Sequence, residues 1–280
     1  SNLKYMRNFY LVYKNIVKIR QPSVGELEQK FNPNLSWSHY RVLSNVVSDQ
    51  KRSFYEIEAV KNRWPYRELE RQIASLLFER LSKSKDKKGV LRLAKKGQEI
   101  QTPEDAIKDP IILEFLNLPE SHRLVESKIE EALINNLQKF LLELGRGFSF
   151  VARQQRLTLN GDHLYVDLVM YHTILKCYML IDVKTKKLTH GDMGQMLNYV
   201  NYYDLECLTP GDNPTLGLIL CTEKNEAAVK YTLADKKKQI FTRKYQFFLP
   251  TEAELEEEIK RELRDIKYYL AHDKREKKKK

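Results

Sequence analysis

The chain has 280 residues, 42% hydrophobic and 10% aromatic, which excludes a disordered chain and allows one large or two modest folded domains. Its 49 Lys and Arg against 38 Asp and Glu leave a formal charge of +11, pointing to a polyanionic partner, although the C-terminal run REKKKK accounts for part of the excess as a solvated tail. No apolar run approaches the roughly 20 residues of a membrane span, the opening SNLKYMRNFYLVY lacks a signal-peptide profile, and Cys177, Cys207 and Cys221 form no CxxC pair, so a reduced, cytoplasmic setting is expected.

Because the chain starts inside an amphipathic segment, some N-terminal sequence is expected to precede it. Residues 1–82 read as helical: YMRNFYLVY, SWSHYRVLSNVV, DQKRSFYEIEAVKNRW and PYRELERQIASLLFERL each carry apolar residues three and four apart. Ser36 suits the cap of the second helix, Ser48 or Asp49 that of the third, and Pro65 the first turn of the fourth. Displayed Arg41, Lys51, Arg52, Lys61, Arg63, Arg67 and Arg71 fit either a helix-turn-helix-like DNA-binding unit or a packed helical domain with a basic surface.

Residues 83–120 are lysine-rich and punctuated by Gly89, Gly97 and Pro103, the composition of a connector with little core of its own. A second domain is expected over 121–250. It opens on a helix from Ser121 to Leu144, stopped by Gly145. Three strands follow, GFSFVARQQRLTL, HLYVDLVMY and CYMLIDVKT, the first two joined through Asn160-Gly161, a strong hairpin signal. Next come a helix over Asp192–Tyr203, a buried strand TLGLILCT and a shorter strand VKYTLA. A C-terminal helix and basic tail occupy 251–280. This order suits an α/β domain with a mixed sheet flanked by helices.

Carboxylates are rare in buried strands, because an unpaired buried charge costs several kcal/mol. Asp182 and Lys184, two residues apart, share one strand face, with Val183 on the other. If the hairpin centre lies between Ile174 and Leu175, Asp167 falls opposite Asp182, roughly 5 Å across the strands, a spacing for one divalent cation. None of the six histidines forms an HxxxH or HExxH pattern, so oxygen ligands are favoured over a zinc site. A third acid is expected from the preceding helix: Glu130, which shares a face with Ile134, Leu137 and Leu141, with Glu126 in reserve. Such a centre would hold Mg²⁺ or Mn²⁺ for phosphodiester hydrolysis, with Lys184 orienting or deprotonating water and stabilising negative charge.

Several segments together carry a family resemblance: ALINNLQKFLLELGRGFSFVARQ, YVDLVMYHTILKCYMLIDVKT, HGDMGQMLNYVNYYD and NPTLGLILCTEK, with LSWSHYRVL and RSFYEIEAVKNRWPYRELERQI before them. This run resembles the YhcG-type family of the PD-(D/E)XK nuclease superfamily over nearly the whole chain, with the first helices of its N-terminal domain missing. The resemblance implies an αβββαβ restriction-endonuclease-like core preceded by a small all-helical domain. It also implies a metal centre of Glu130, Asp167, Asp182 and Lys184, with the Val183 carbonyl as an extra ligand. Asp182 stands where many superfamily members have Glu. Gln195 and Tyr199, one turn apart, resemble the Q-x-x-x-Y motif of RecB-like members and would position a phosphate or an active-site side chain. Their alternatives are an Asp192 capping box and a core tyrosine. Arg153, Gln154 and His190 read as surface or strand-edge residues.

The reading that follows is a Mg²⁺- or Mn²⁺-dependent DNA endonuclease acting as a homodimer, with no membrane partner. The alternatives are a nucleic-acid-binding accessory or regulatory protein, in a defence or toxin–antitoxin setting, whose nuclease fold is weak or inactive, and an interaction protein assembling through its helices.

Overall fold

The computed structural model describes residues 2–14, 31–83, 85–118, 125–159, 161–223, 240–251, 253, 254 and 257. Two compact units divide the chain, one running through Glu99 and the other spanning Ile100–Leu249. The expected VKYTLA strand and most of the C-terminal helix and tail lie outside the described residues.

The first unit is helical: α1 (Asn2–Tyr13), α2 (Trp37–Leu43), α3 (Asp49–Lys61), α4 (Tyr66–Ala74), α5 (Leu77–Ser82) and α6 (Lys87–Lys96). Leu43, Phe54, Tyr55, Leu69 and Leu77 are buried in it, with the Phe54 ring 5.2 Å from that of Phe78. Ser48 caps α3, accepting from the Lys51 N–H at 3.4 Å, and Ser36 opens α2 by donating its N–H to His39 Nδ1 at 3.1 Å.

The helix expected from Pro65 to Leu81 breaks in two, with Leu76 in the left-handed region at φ 53°. Partners from the core make that break tolerable. Buried Arg80 donates to the Ser75 carbonyl at 2.9 Å, and the Phe78 N–H, near the open start of α5, donates to the Tyr55 hydroxyl at 3.2 Å. Arg52, expected on the surface, is instead buried, donating to the Val46 carbonyl at 3.3 Å and to Asp49. Lys61, Arg63 and Arg67 are exposed or nearly so, while Arg41, Lys51 and Arg71 are half-buried.

The stretch over 83–120, expected to have little core, is structured. Asp86 accepts from the Gly89 N–H at 2.8 Å to start α6, which buries Leu93 and Ala94. Beyond Ile100 come α7 (Pro103–Ala106), β1 (Ile111–Ile112) and a 3-10 turn (Glu114–Leu116), and Ile111, Leu113, Phe115 and Leu116 join the core of the second unit. β1 is two residues long, too short to leave a period in the sequence.

That second unit continues with α8 (Glu126–Asn135), α9 (Leu137–Leu144), β2 (Phe148–Leu159), β3 (Asp162–His172), β4 (Cys177–Lys187), α10 (His190–Glu206), β5 (Leu216–Glu223) and β6 (Ile240–Gln246). The single helix expected through Leu144 is interrupted at Asn136, whose side-chain amide donates to the Ala132 carbonyl at 3.0 Å in competition with the helix ladder. The sheet order is β1-β6-β5-β4-β3-β2, antiparallel through β2-β3-β4 and parallel from β4 to β1. Leu168, Met170, Met179, Ile181 and Val183 face a core with Ile129, Leu133 and Phe140 of α8 and α9. Val166, Val169, Leu180, Ile219 and Cys221 face another with Met193, Met196, Tyr199 and Val200 of α10. No helix among the described residues is long and apolar enough to cross a membrane.

Candidate active site

Two strands that pair and then part create the site. Met170 lies opposite Met179 and Leu168 opposite Ile181, which is the register of a hairpin centred between Ile174 and Leu175. Pairing ends at Leu168–Ile181. The next residues on each strand are Asp167 and Asp182, so the two acids sit where the sheet forks: beyond them β3 pairs only with β2, while β4 stays on β5. Val183 is in the α8/α9 core and Asp182 is not, as alternation requires.

Both acids are buried, Asp167 to 8% and Asp182 to 1% exposure. Asp167 Oδ2 accepts from the Val183 N–H at 2.8 Å, and the two carboxyl groups are in hydrogen-bonding contact with each other. Burial, then the charge of Asp182, pushes the Asp167 carboxyl up to about 8. Burial also raises Asp182, against the opposing pull of Lys184. Lys184 Nζ lies 2.8 Å from Asp182 Oδ2 and 3.8 Å from Glu126 Oε2. Desolvation works against the ammonium, but Asp182, Glu126 and Asp167 together hold it above its ordinary range, so it stays charged. Asp182 Oδ2 is buried without an aligned hydrogen bond, the Lys184 contact being an ion pair.

The expected third acid is nearby but held apart. Among the described residues no three His, Cys, Asp or Glu side chains are gathered closely enough to hold one ion. Between Glu130 and Asp167 stands Gln154, whose side-chain amide donates to Glu130 Oε2 and, at 3.2 Å, to Asp167 Oδ1. Glu126 instead accepts from the Thr185 N–H at 3.2 Å and faces Lys184.

Gln154, which reads from sequence as a strand-edge residue, is thus in the site. Its φ of 45° is left-handed, an unusual conformation for a non-glycine residue in a strand. Across from it the alternation of β3 slips, Val166 and Val169 both lying in the α10 core. Counting along the hairpin exposes the signal: pairing of Leu159 with Asp162 across the two-residue turn sets Gln154 opposite Asp167, between the pairs Arg153–Leu168 and Gln155–Val166.

Gln195 and Tyr199 are engaged with each other. The Gln195 amide donates to the Tyr199 hydroxyl, which donates to the Tyr165 carbonyl at 2.6 Å, and the Tyr199 ring is fully buried. They brace β3 two residues from Asp167. Asp192 is the third residue of α10 and not its cap: its carboxylate accepts from the Thr189 N–H at 2.8 Å and from the Thr189 hydroxyl at 2.7 Å. His190 is the exposed first residue of that helix.

Oxygen donors from two adjacent strands, short of positive charge, fit a hard divalent cation better than a soft one. A forked mixed sheet with helices on both faces, an acid on each diverging strand and Asp-x-Lys on the second, defines a nuclease domain of the PDDEXK type. Similarity to known proteins agrees. The YhcG PDDEXK nuclease domain matches residues 104–264 and the DUF1016 N-terminal domain matches residues 1–80. A protein of Escherichia coli (strain K12) named "Putative nuclease YhcG" is 37% identical over 282 aligned positions, covering 93% of this chain and 74% of that protein. The chain belongs to the YhcG family of PDDEXK nucleases. Among solved structures, a repair endonuclease from Pyrococcus abyssi is 16% identical over 48% of this chain and 50% of its own, with a TM-score of 0.32. An EndoMS–dsDNA2 complex is 13% identical over 48% of each chain, with a TM-score of 0.33.

Proposed function

We propose that this chain is a Mg²⁺- or Mn²⁺-dependent DNA endonuclease whose centre is Asp167, Asp182, Lys184 and a glutamate of α8. The observation carrying the proposal is the buried pair Asp167–Asp182 at the fork of the sheet, with the Lys184 ammonium 2.8 Å from Asp182. Asp167 and Asp182 would hold the cation, with Glu130 completing the set once it leaves the Gln154 amide and the Val183 carbonyl as an extra ligand; Glu126 is the reserve for Glu130. When bound, the cation supplies positive charge against the phosphate oxygens and makes water easier to deprotonate.

The chain's own residues do the rest. The Asp167 carboxyl, pushed up by burial and by Asp182, would hold a cation as the carboxylate, its proton lost to solvent. Lys184, held charged by its acidic neighbours, stabilises the anionic transition state and is poorly suited to act as a base. Tyr199, bound to the Tyr165 carbonyl, fixes the strand that aims Asp167, with Gln195 holding the tyrosine. The helical first unit, with Lys61, Arg63 and Arg67 at its surface, contributes to DNA engagement.

The test is plasmid cleavage by the purified chain with and without Mg²⁺, beside Asp182→Ala. Cleavage that requires Mg²⁺ and is lost in the variant supports the proposal. A second reading, a DNA-binding accessory protein with an idle nuclease fold, draws on Glu130 being held by Gln154 outside ligand range. It predicts salt-sensitive binding without turnover at any Mg²⁺ concentration.

A further inference from the structure

Beyond the last β3–β4 pair, β2 and β3 continue alone as a two-stranded ribbon, from Arg153 and Asp167 at its foot to the Leu159–Asp162 pair at its tip. The ribbon is anchored. Leu157 and Val166 are buried on its underside, and Leu164 packs there with them against the α10 core. Its other face is open: Arg156 pairs with Tyr165, which is 47% exposed, and Thr158 pairs with exposed His163, their side chains 3.1 Å apart. Arg153 is exposed at the foot, and β2 holds no acidic residue. Asp162, at the tip, is the ribbon's one carboxylate short of Asp167. β2 also ends the sheet, so its outer edge pairs with no other strand among the described residues.

We infer that the outer face of this ribbon, with Arg153 and Arg156, is a contact surface for the phosphate backbone of duplex DNA flanking the cut position. The inference rests on the reading of the chain as a DNA-cleaving nuclease and adds where the substrate lies. Geometry sets the reach. At about 3.3 Å per residue, the Arg156–Tyr165 pair lies about 7 Å from Asp167 and the Thr158–His163 pair about 13 Å. Duplex DNA carries one phosphate per strand roughly every 3.4 Å of axis, and because the backbone winds about that axis its successive phosphates are about twice as far apart, so a backbone entering the fork at Asp167 runs past the ribbon for about two phosphates. Guanidinium groups bind phosphate oxygens through paired N–H donors, and Thr, Tyr and His supply further polar contacts of the kind that position without reading sequence. A long edge strand left open is a liability, and two arginines beside a polar row protect it until DNA covers it.

The experiment measures binding of labelled duplex DNA in EDTA, where no cleavage occurs, by fluorescence anisotropy across a range of salt concentrations. Wild type, Arg153→Ala, Arg156→Ala and the double variant are compared. Taking one arginine off a phosphate lowers the slope of log affinity against log salt by about 0.9, so the double variant should show a slope shallower by about 1.8 and bind roughly tenfold more weakly. In Mg²⁺, KM for DNA should rise in the same proportion while kcat holds. Because both arginines are exposed, unchanged melting temperatures will show that the variants fold. An unchanged slope and affinity in the double variant overturns the inference, as does a change in oligomeric state at constant DNA affinity, which would make the edge a protein interface. Failure of the chain to cleave in Mg²⁺ would defeat the proposed function and leave the EDTA measurement intact, so the two failures are separable.

Discussion

Among the described residues of the sheet unit two places bury acids, and they treat them differently. Glu143 of α9 is fully buried, and its carboxylate accepts from the Ile112 N–H of β1 at 3.0 Å while its carbonyl accepts from the buried Lys108 ammonium. Asp167 and Asp182 are also buried but crowd each other, and Asp182 Oδ2 lacks an aligned donor. Glu143 stands apart from any second acid and pins a short edge strand to a helix, whereas Asp167, although it too accepts a backbone N–H, from Val183 at 2.8 Å, is pressed against Asp182. Buried acids pressed together keep part of their charge uncompensated, and that deficit is what a cation or an anionic substrate with its counterion can use.

The contrast can be broken by substitution. Asp182→Ala should reduce cleavage by about 10³ or more, equivalent to about 4 kcal/mol of barrier, while its melting temperature stays nearly level, relief of the crowding against Asp167 offsetting loss of the Lys184 ion pair. Glu143→Ala should do the reverse, costing about 1–3 kcal/mol of stability in a urea titration with activity per folded molecule unchanged. Equal behaviour of the two variants would erase the distinction.

Adding Mg²⁺ sharpens it. At a hundredfold excess over its dissociation constant the cation should stabilise the fold by about 2.7 kcal/mol, seen as a rise in melting temperature that Glu143→Ala keeps and Asp182→Ala loses.

Legibility from sequence follows the locality of each cause. The β3–β4 register is readable because a symmetric turn and two apolar runs fix it, and Asp182-x-Lys184 follows from strand alternation. The break at Leu76 is not, since no Gly or Pro marks it and its partners Arg80 and Tyr55 are supplied by the folded core. The place of Gln154 opposite Asp167 can be counted from the hairpin turn, but its role cannot, because that comes from a left-handed residue in a strand and from Glu130, 24 positions away. Amphipathic α6 lies in a lysine-rich stretch whose composition resembles a linker.

pH separates the two regions again. The folded Asp167 carboxyl titrates at about 8 against an ordinary value of 3.8, so without a cation the native state holds a proton that the unfolded chain has released between those values. Stability should therefore be greatest at the acid end of that window and fall as pH rises through 8. In EDTA the melting temperature should decline between pH 6 and about 8.5, and Asp167→Asn should flatten that decline. A smaller effect is expected at the brace. Tyr199→Phe removes the bond to the Tyr165 carbonyl and should cost about 1 kcal/mol, with a reduction in kcat that exceeds any change in KM.

The most direct measurement is anomalous diffraction from crystals of the protein soaked in Mn²⁺. The account predicts one peak per chain at the fork of the sheet, about 2.2 Å from carboxylate oxygens of both Asp167 and Asp182, with Glu130 turned in from Gln154. A peak elsewhere, or none at the fork while Mg²⁺-dependent cleavage persists, would contradict it.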